Sequence, residues 1–230
     1  MLLALASGYD RSAATWAARH GAALLTPADL SVAGWRYHAG ISGPDTAVAG
    51  GEVIAVERIE GVLTRLPYVS PVELGHIVET DQEYVAAEMT AFLLAWLTRL
   101  PCPVINRPTS SWLCGPAWPP ERWVWTAARL GLHVRPVHRQ ARLDGPPAEE
   151  EIGNHTLVTV VDDRWFGSVP ESLGRQARRL AVAAGTSLLA VQFDGAEPDA
   201  AVLGADPWPD IAPAEIADAV AAYLMHGSLC

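Results

Sequence analysis

Short apolar runs alternating with helix-length amphipathic stretches set the pattern of the first 138 residues. Leu2–Ala6 is uninterrupted apolar sequence and predicts a buried strand. Residues 12–20 follow with helical spacing, and Gly21 stands where a helix C-cap belongs. Residues 22–25 repeat the strand signature. Residues 39–52, rich in Gly, Pro and Asp, read as a loop, and residues 53–56 and 61–63 read as further strands. The longest periodic segment is 81–100, where Val85, Met89, Phe92, Leu93, Trp96 and Leu100 share one helical face. Thr80 and Glu83 have capping-box spacing at its start, and Pro101 and Pro103 stop it. Val104-Ile105 then reads as a short buried strand. Pro119-Pro120 opens another helix, which Gly131 closes.

The pattern changes at residues 139–154, where Gly145-Pro146-Pro147 and Glu149-Glu150-Glu151 mark a linker. Beyond it, residues 157–161 and 165–166 flank Asp162-Asp163-Arg164, which predicts a hairpin with a three-residue turn. Ser168 and Glu171 form a second capping-box pair, ahead of a helix that reaches Ala184 and is capped by Gly185. Residues 187–193 and 201–203 read as strands. Pro213 starts a last helix with Ile216, Val220 and Leu224 on its inner face. The alternation predicts an α/β chain. Residues 1–138 form an open, mostly parallel sheet with helices, residues 139–154 a linker, and residues 155–230 a smaller α+β unit.

Composition narrows the class. The chain has 230 residues, half of them apolar and 18% charged, as in a globular protein with a real core. No apolar run is long enough for a membrane span, and the apolar start is read as a strand rather than a signal peptide. Three cysteines without metal-type spacing fit a reducing, cytoplasmic setting. All 16 basic residues are arginine, so no amine is available for a Schiff base or a lysine clamp on phosphates. Residues 1–143 hold 12 acidic and 12 basic residues, whereas residues 144–230 hold 14 and 4. The net charge of −10 therefore sits in the C-terminal part, a surface that repels nucleic acid.

Three linked motifs carry a family resemblance. Gly61-Val62-Leu63-Thr64-Arg65-Leu66-Pro67 comes first, then the helix ending at Leu97 to Leu100. Val104-Ile105-Asn106-Arg107-Pro108 follows, ahead of Trp123 to Leu132. In the second part, Val158-Thr159-Val160-Val161-Asp162-Asp163-Arg164-Trp165-Phe166, Leu203-Gly204-Ala205-Asp206-Pro207-Trp208-Pro209 and the stretch from Ala217 to Tyr223 continue it. Together they resemble the ATP-grasp ligases, in particular the branch with ribosomal-peptide maturases and ribosomal-protein modifying ligases. The resemblance implies a pre-ATP-grasp-like first domain and the end of an ATP-grasp domain.

It also implies what this chain departs from. A family member carries a nucleotide-binding subdomain, with two phosphate-binding lysines and a Gly-rich loop, between the Leu132 and Leu157 regions. Here about two dozen residues bridge that gap. The family's Glu-x-Asn metal motif aligns with Gly204 and Asp206, and its upstream metal-ligating acid aligns with Gln192 or, less well, Asp194. Magnesium asks for octahedral oxygen ligation, usually with carboxylates, and phosphoryl transfer rests on metal and cationic stabilisation. The expectation is a truncated, catalytically silent ATP-grasp-like protein without cofactor. It would bind a peptide or protein partner as an accessory subunit, in a homodimer or heteromeric complex, with no nucleic acid or membrane partner. The alternative is a minimal ATP-dependent carboxylate-amine ligase or transferase completed by another chain.

Candidate contact residues follow from placement. Arg65, Asn106 and Arg107 stand at strand ends, which meet in one crevice of an open α/β sheet. The structural alternative, which outweighs this reading, is that Arg107 caps a helix or pairs with Glu88. Arg122, Arg129, His133, Arg135, His138, Arg139 and Arg142 make a basic stretch suited to an anion or to the chain's own acidic part. Trp112 and Trp118 lie in loop sequence, so with Arg135 and Arg139 they are interface candidates; in a sheet protein, tryptophan is also core material. Cys102, Cys114, His133 and His138 match no standard zinc spacing.

Overall fold

The computed structural model describes residues 1–40, 43–137 and 155–227. The chain groups into two compact units, Met1–Ala117 with Asp210–Cys230, and Trp118–Pro209. The predicted linker, residues 139–154, lies outside the described residues.

In the first unit, β1 (Leu2–Ala6), β2 (Ala23–Leu25), β5 (Gly61–Arg65) and β6 (Val104–Ile105) form a sheet in the order β2-β1-β5-β6, with every pairing parallel. All five residues of β1 are buried, which explains its continuous apolar run. Alternation divides the two faces. Leu3, Leu5, Val62 and Val104 join a core that Leu93, Trp96 and Leu97 of α2 (Gln82–Arg99) complete. Helices α1 (Arg11–His20) and α5 (Ala214–His226) also pack on this unit's strands. The Trp16 indole N–H of α1 donates to the Ala217 carbonyl of α5 at 3.0 Å. Gly61 faces α5 so closely that a Cβ there would lie 2.5 Å from the Leu224 carbonyl oxygen.

Two expectations for this unit are corrected. Residues 46–49, read as loop, are strand β3 (Thr46–Ala49), hairpinned with β4 (Glu52–Ala55). Gly50 and Gly51 both have positive φ, 59° and 76°, so the Gly-Gly pair makes a tight hairpin turn rather than a loop. The capping box at Thr80 does not form either. Glu79–Asp81 is a 3₁₀ turn, Asp81 occupies the cap without a side-chain bond, and the Thr80 hydroxyl donates to Asp81 Oδ1.

The second unit is an antiparallel sheet in the order β10 (Val202–Asp206), β9 (Leu188–Phe193), β7 (Thr156–Val161), β8 (Arg164–Phe166). Helices α3 (Pro120–Arg129) and α4 (Glu171–Ala184) supply Trp123, Ala127, Leu173, Ala177 and Leu180 to its core. Val161 pairs with Arg164, so the β7–β8 turn has two residues, not three, with Asp162 at φ 54°. Pro170, not Ser168, is the N-cap of α4, and no side chain bonds there. The fold class is as expected: a parallel α/β sheet plus a smaller antiparallel α+β unit. The compact units, however, place α3 with the C-terminal sheet and α5 with the N-terminal one.

The contact at Gly61 gives a test. Gly61→Ala should lower unfolding free energy by about 1–3 kcal/mol, since the atom in the way is backbone. Gly75→Ala, where a Cβ meets nothing within 4 Å, should stay within about 0.5 kcal/mol in the same urea titration.

Candidate functional site

Parallel strands deliver their carboxyl ends to one edge of the first sheet, and the polar residues there are Thr64, Arg65 and Asn106. Arg65 ends β5 on the same face as Gly61 and Leu63. Its Nε donates to Asp10 Oδ2 at 2.8 Å, and both side chains are under a tenth exposed. The other carboxylate oxygen of Asp10 accepts from the Ala13 backbone N–H at 2.9 Å and caps α1. One carboxylate thus serves a helix and a strand end together. Next to it, the Thr64 hydroxyl lies 2.7 Å from the Ile105 carbonyl and 2.9 Å from that of Asn106. Asn106 is buried at 2% exposure, and Gly115 packs on it: a Cβ at Gly115 would lie 3.0 Å from that of Asn106. Glu73 accepts from the Gly8 backbone N–H at 2.9 Å and holds the β1–α1 loop.

Of the three crevice candidates, Arg65 and Asn106 are therefore buried, and Arg107 alone is exposed. The Arg107 guanidinium donates to the Cys102 carbonyl at 3.3 Å. Trp112 is half-buried with its ring edge-on to Tyr68, centroids 6.0 Å apart. Cys102 and Cys114 are buried, and burial pushes the Cys102 thiol up from its ordinary value. The sequence reading passed over Asp10 and Glu73. Asp10 stands directly before the first helix, three residues ahead of Ala13, and this N-cap spacing was the available signal.

The second unit holds a cavity of about 340 Å³ between its sheet and the start of α3. Gln192 and Gly204 pair directly across β9 and β10 and line it, with Ala190, Asp206, Leu157, Trp118 and Trp123 around them. Gln192 contributes a neutral amide and Gly204 no side chain. Asp206 is exposed, and its Oδ1 accepts from the Trp208 backbone N–H at 2.8 Å, the bond of a local turn. Asp194 also serves a turn: it accepts from Ala201 N–H at 2.7 Å and from Arg135 at 3.2 Å. Asp206 is therefore the carboxylate among the described residues that line this cavity. Among the described residues no group of three or more His, Cys, Asp or Glu converges on a metal position.

The basic stretch is largely engaged by its own unit. The Arg122 guanidinium lies 4.2 Å over the Trp118 ring, and that of Arg129 4.8 Å over Trp125. His133 Nδ1 lies 2.7 Å from the Asp199 carbonyl, and Arg135 pairs with Asp194. Trp118 is half-buried and tilts against Trp123, centroids 4.6 Å apart. Arg139, with His138 and Arg142, lies outside the described residues.

Removal of the Asp10 charge tests the strand-end pair. Asp10→Asn keeps an acceptor for the α1 cap but removes the negative charge that faces the buried Arg65 guanidinium, and should cost about 3 kcal/mol by chemical denaturation. The double variant Asp10→Asn/Arg65→Met should recover part of that loss. A single variant as stable as wild type would mean the pair does not hold the β1–α1 loop to β5.

Solved structures share this architecture. The macrocyclase MdnC from Microcystis aeruginosa, crystallised with precursor peptide MdnA, matches with a TM-score of 0.71 and 12% identity, over 97% of this chain and 99% of that one. The ATP-grasp ligase PsnB, complexed with a minimal precursor, Mg and ADP, matches at 0.66 and 15% identity, over 97% and 98%. A RiPP-associated ATP-grasp ligase of Chryseobacterium gregarium, in complex with ADP and a leader and core peptide, matches at 0.64 and 9% identity, over 97% and 96%. No protein-family model matches the sequence, and neither does any curated protein. At such identities the likeness is one of fold, and the fold is ATP-grasp-like.

Proposed function

We propose that the chain is a catalytically silent ATP-grasp-like protein that binds a peptide or protein partner, as an accessory subunit of a larger assembly. The observation that carries this reading is the wall of the C-terminal cavity. Where the family resemblance calls for anionic metal ligands, Gln192 faces Gly204 across two paired strands. The one carboxylate there, Asp206, accepts a bond from its own turn. Without a metal, an acyl-phosphate pathway loses the charge that stabilises its transition state. The chain also has no lysine to take over that charge, and the negative balance of residues 144–230 works against nucleotide binding. Peptide binding is the property retained in this reading, because the similar structures named above hold precursor peptides. Arg107, exposed at the strand ends, and the half-buried Trp112 and Trp118 are the proposed contact residues.

Isothermal titration with Mg-ATP tests the silent reading. Heat should stay at the level of dilution up to millimolar nucleotide. A dissociation constant in the low micromolar range would overturn it and favour the ligase completed by another chain. Partner binding is tested separately by mass spectrometry of what co-purifies from the native organism. Arg107→Ala should weaken that capture by about 1.5–3 kcal/mol, the worth of a charge-assisted contact, with the fold intact.

A further inference from the structure

The distribution of arginine after residue 143 is uneven. Residues 144–230 hold 14 acidic and 4 basic residues, and three of those four, Arg175, Arg178 and Arg179, lie on α4. Counting from Arg175, they fall at i, i+3 and i+4, and Val182 and Ala183 continue the stripe at i+7 and i+8. All five face solvent, and Val182 is 71% exposed, although α4 buries Leu173, Ala177, Leu180 and Ala181 on its other side. The stripe is a groove. Leu130, at the end of α3, forms its flank, and the groove encloses about 460 Å³. Arg179 Nη2 donates to the Leu130 carbonyl at 2.6 Å and fixes that flank. Arg175 makes a loose, exposed pairing with Glu171, 3.8 Å away.

We infer that this groove docks a short acidic peptide segment with an apolar anchor residue. The anchor packs on Val182, Ala183 and Leu130, and neighbouring carboxylates engage Arg175 and Arg178. Charge complementarity selects this occupant. A guanidinium pairs with a carboxylate through parallel hydrogen bonds, and its aliphatic stem extends the apolar floor. Acidic residues predominate elsewhere in residues 155–209, and the arginines of residues 122–135 are engaged with Trp118, Trp125 and Asp194, so the α4 stripe is the cationic surface open to an acidic ligand among these. The same field disfavours nucleic acid, whose backbone needs a longer cationic track and gains nothing from valine. A basic peptide is repelled by the arginines themselves. The inference rests on the peptide-binding reading only in expecting a peptide. Tight Mg-ATP binding would overturn the silent-enzyme reading and leave this site standing.

Selection from a display library of random peptides of about a dozen residues, on the full chain, tests it. The enriched peptides should carry Glu or Asp beside Leu, Ile, Val or Phe. In fluorescence anisotropy they should bind at least about tenfold more weakly to Arg178→Glu and to Val182→Glu, with circular dichroism unchanged. Both positions are exposed, so either variant suffices if the other misfolds. Replacing the peptide carboxylates by amides should weaken binding to a similar degree. The site is refuted if nothing is enriched, if the peptides lack acidic residues, or if both charge-reversed variants bind as wild type does. It is also refuted if a single-stranded DNA oligonucleotide competes as well as the peptide. Enrichment that appears only after Glu149, Glu150 and Glu151 are replaced by serine would assign the groove to the chain's own acid run instead.

Discussion

The carboxylate of Asp10 holds the strand ends of the first unit together. One oxygen caps α1 and the other accepts from Arg65 at the end of β5. The geometry follows from the sheet. β1 and β5 are parallel neighbours in register from Leu2↔Gly61 to Ala6↔Arg65, so the loop leaving β1 passes the end of β5. A buried guanidinium is tolerable only with a partner, and the helix cap supplies it. The consequence for function is direct: Arg65 is committed to the fold, whereas Arg107 is exposed.

A comparable commitment governs the second unit. In an antiparallel pair, residues opposite each other share a face, so what stands at Gln192 and Gly204 decides the chemistry of one patch of sheet. An amide and a hydrogen atom bring no charge to that pair, and Asp206 is the carboxylate beside it in the cavity wall. Asp206 and Asp194 remain nearby in sequence, yet each is drawn into a turn by a backbone N–H.

Much of this was legible in the sequence, for stated physical reasons. The apolar runs of β1, β5, β9 and the last four residues of β7 mark strand segments buried on both faces, and Gly21 and Gly185 end α1 and α4 in the left-handed conformation. The failures share a cause. Thr80 and Ser168 have cap chemistry at cap spacing, but local turns displaced the caps to Asp81 and Pro170. Gly50-Gly51 is a hairpin turn, hidden by the surrounding Gly, Pro and Asp of a loop-like composition. Arg65 and Asn106 were legible as strand-end polar residues, whereas their burial was not. The partner of Arg65 lies 55 positions away, and a packing neighbour of Asn106 is Gly115, which itself reads as loop. Sequence proximity carries no information about such contacts.

Silence of the ATP-grasp-like fold is the central claim, and its strongest rival is an active site completed by another chain. The most direct measurement is ADP formation by the protein together with whatever co-purifies with it from the native organism, in Mg-ATP. The account predicts ADP at the level of a protein-free control, unchanged by Asp206→Ala. ADP produced in excess of the protein and abolished by Asp206→Ala would contradict it.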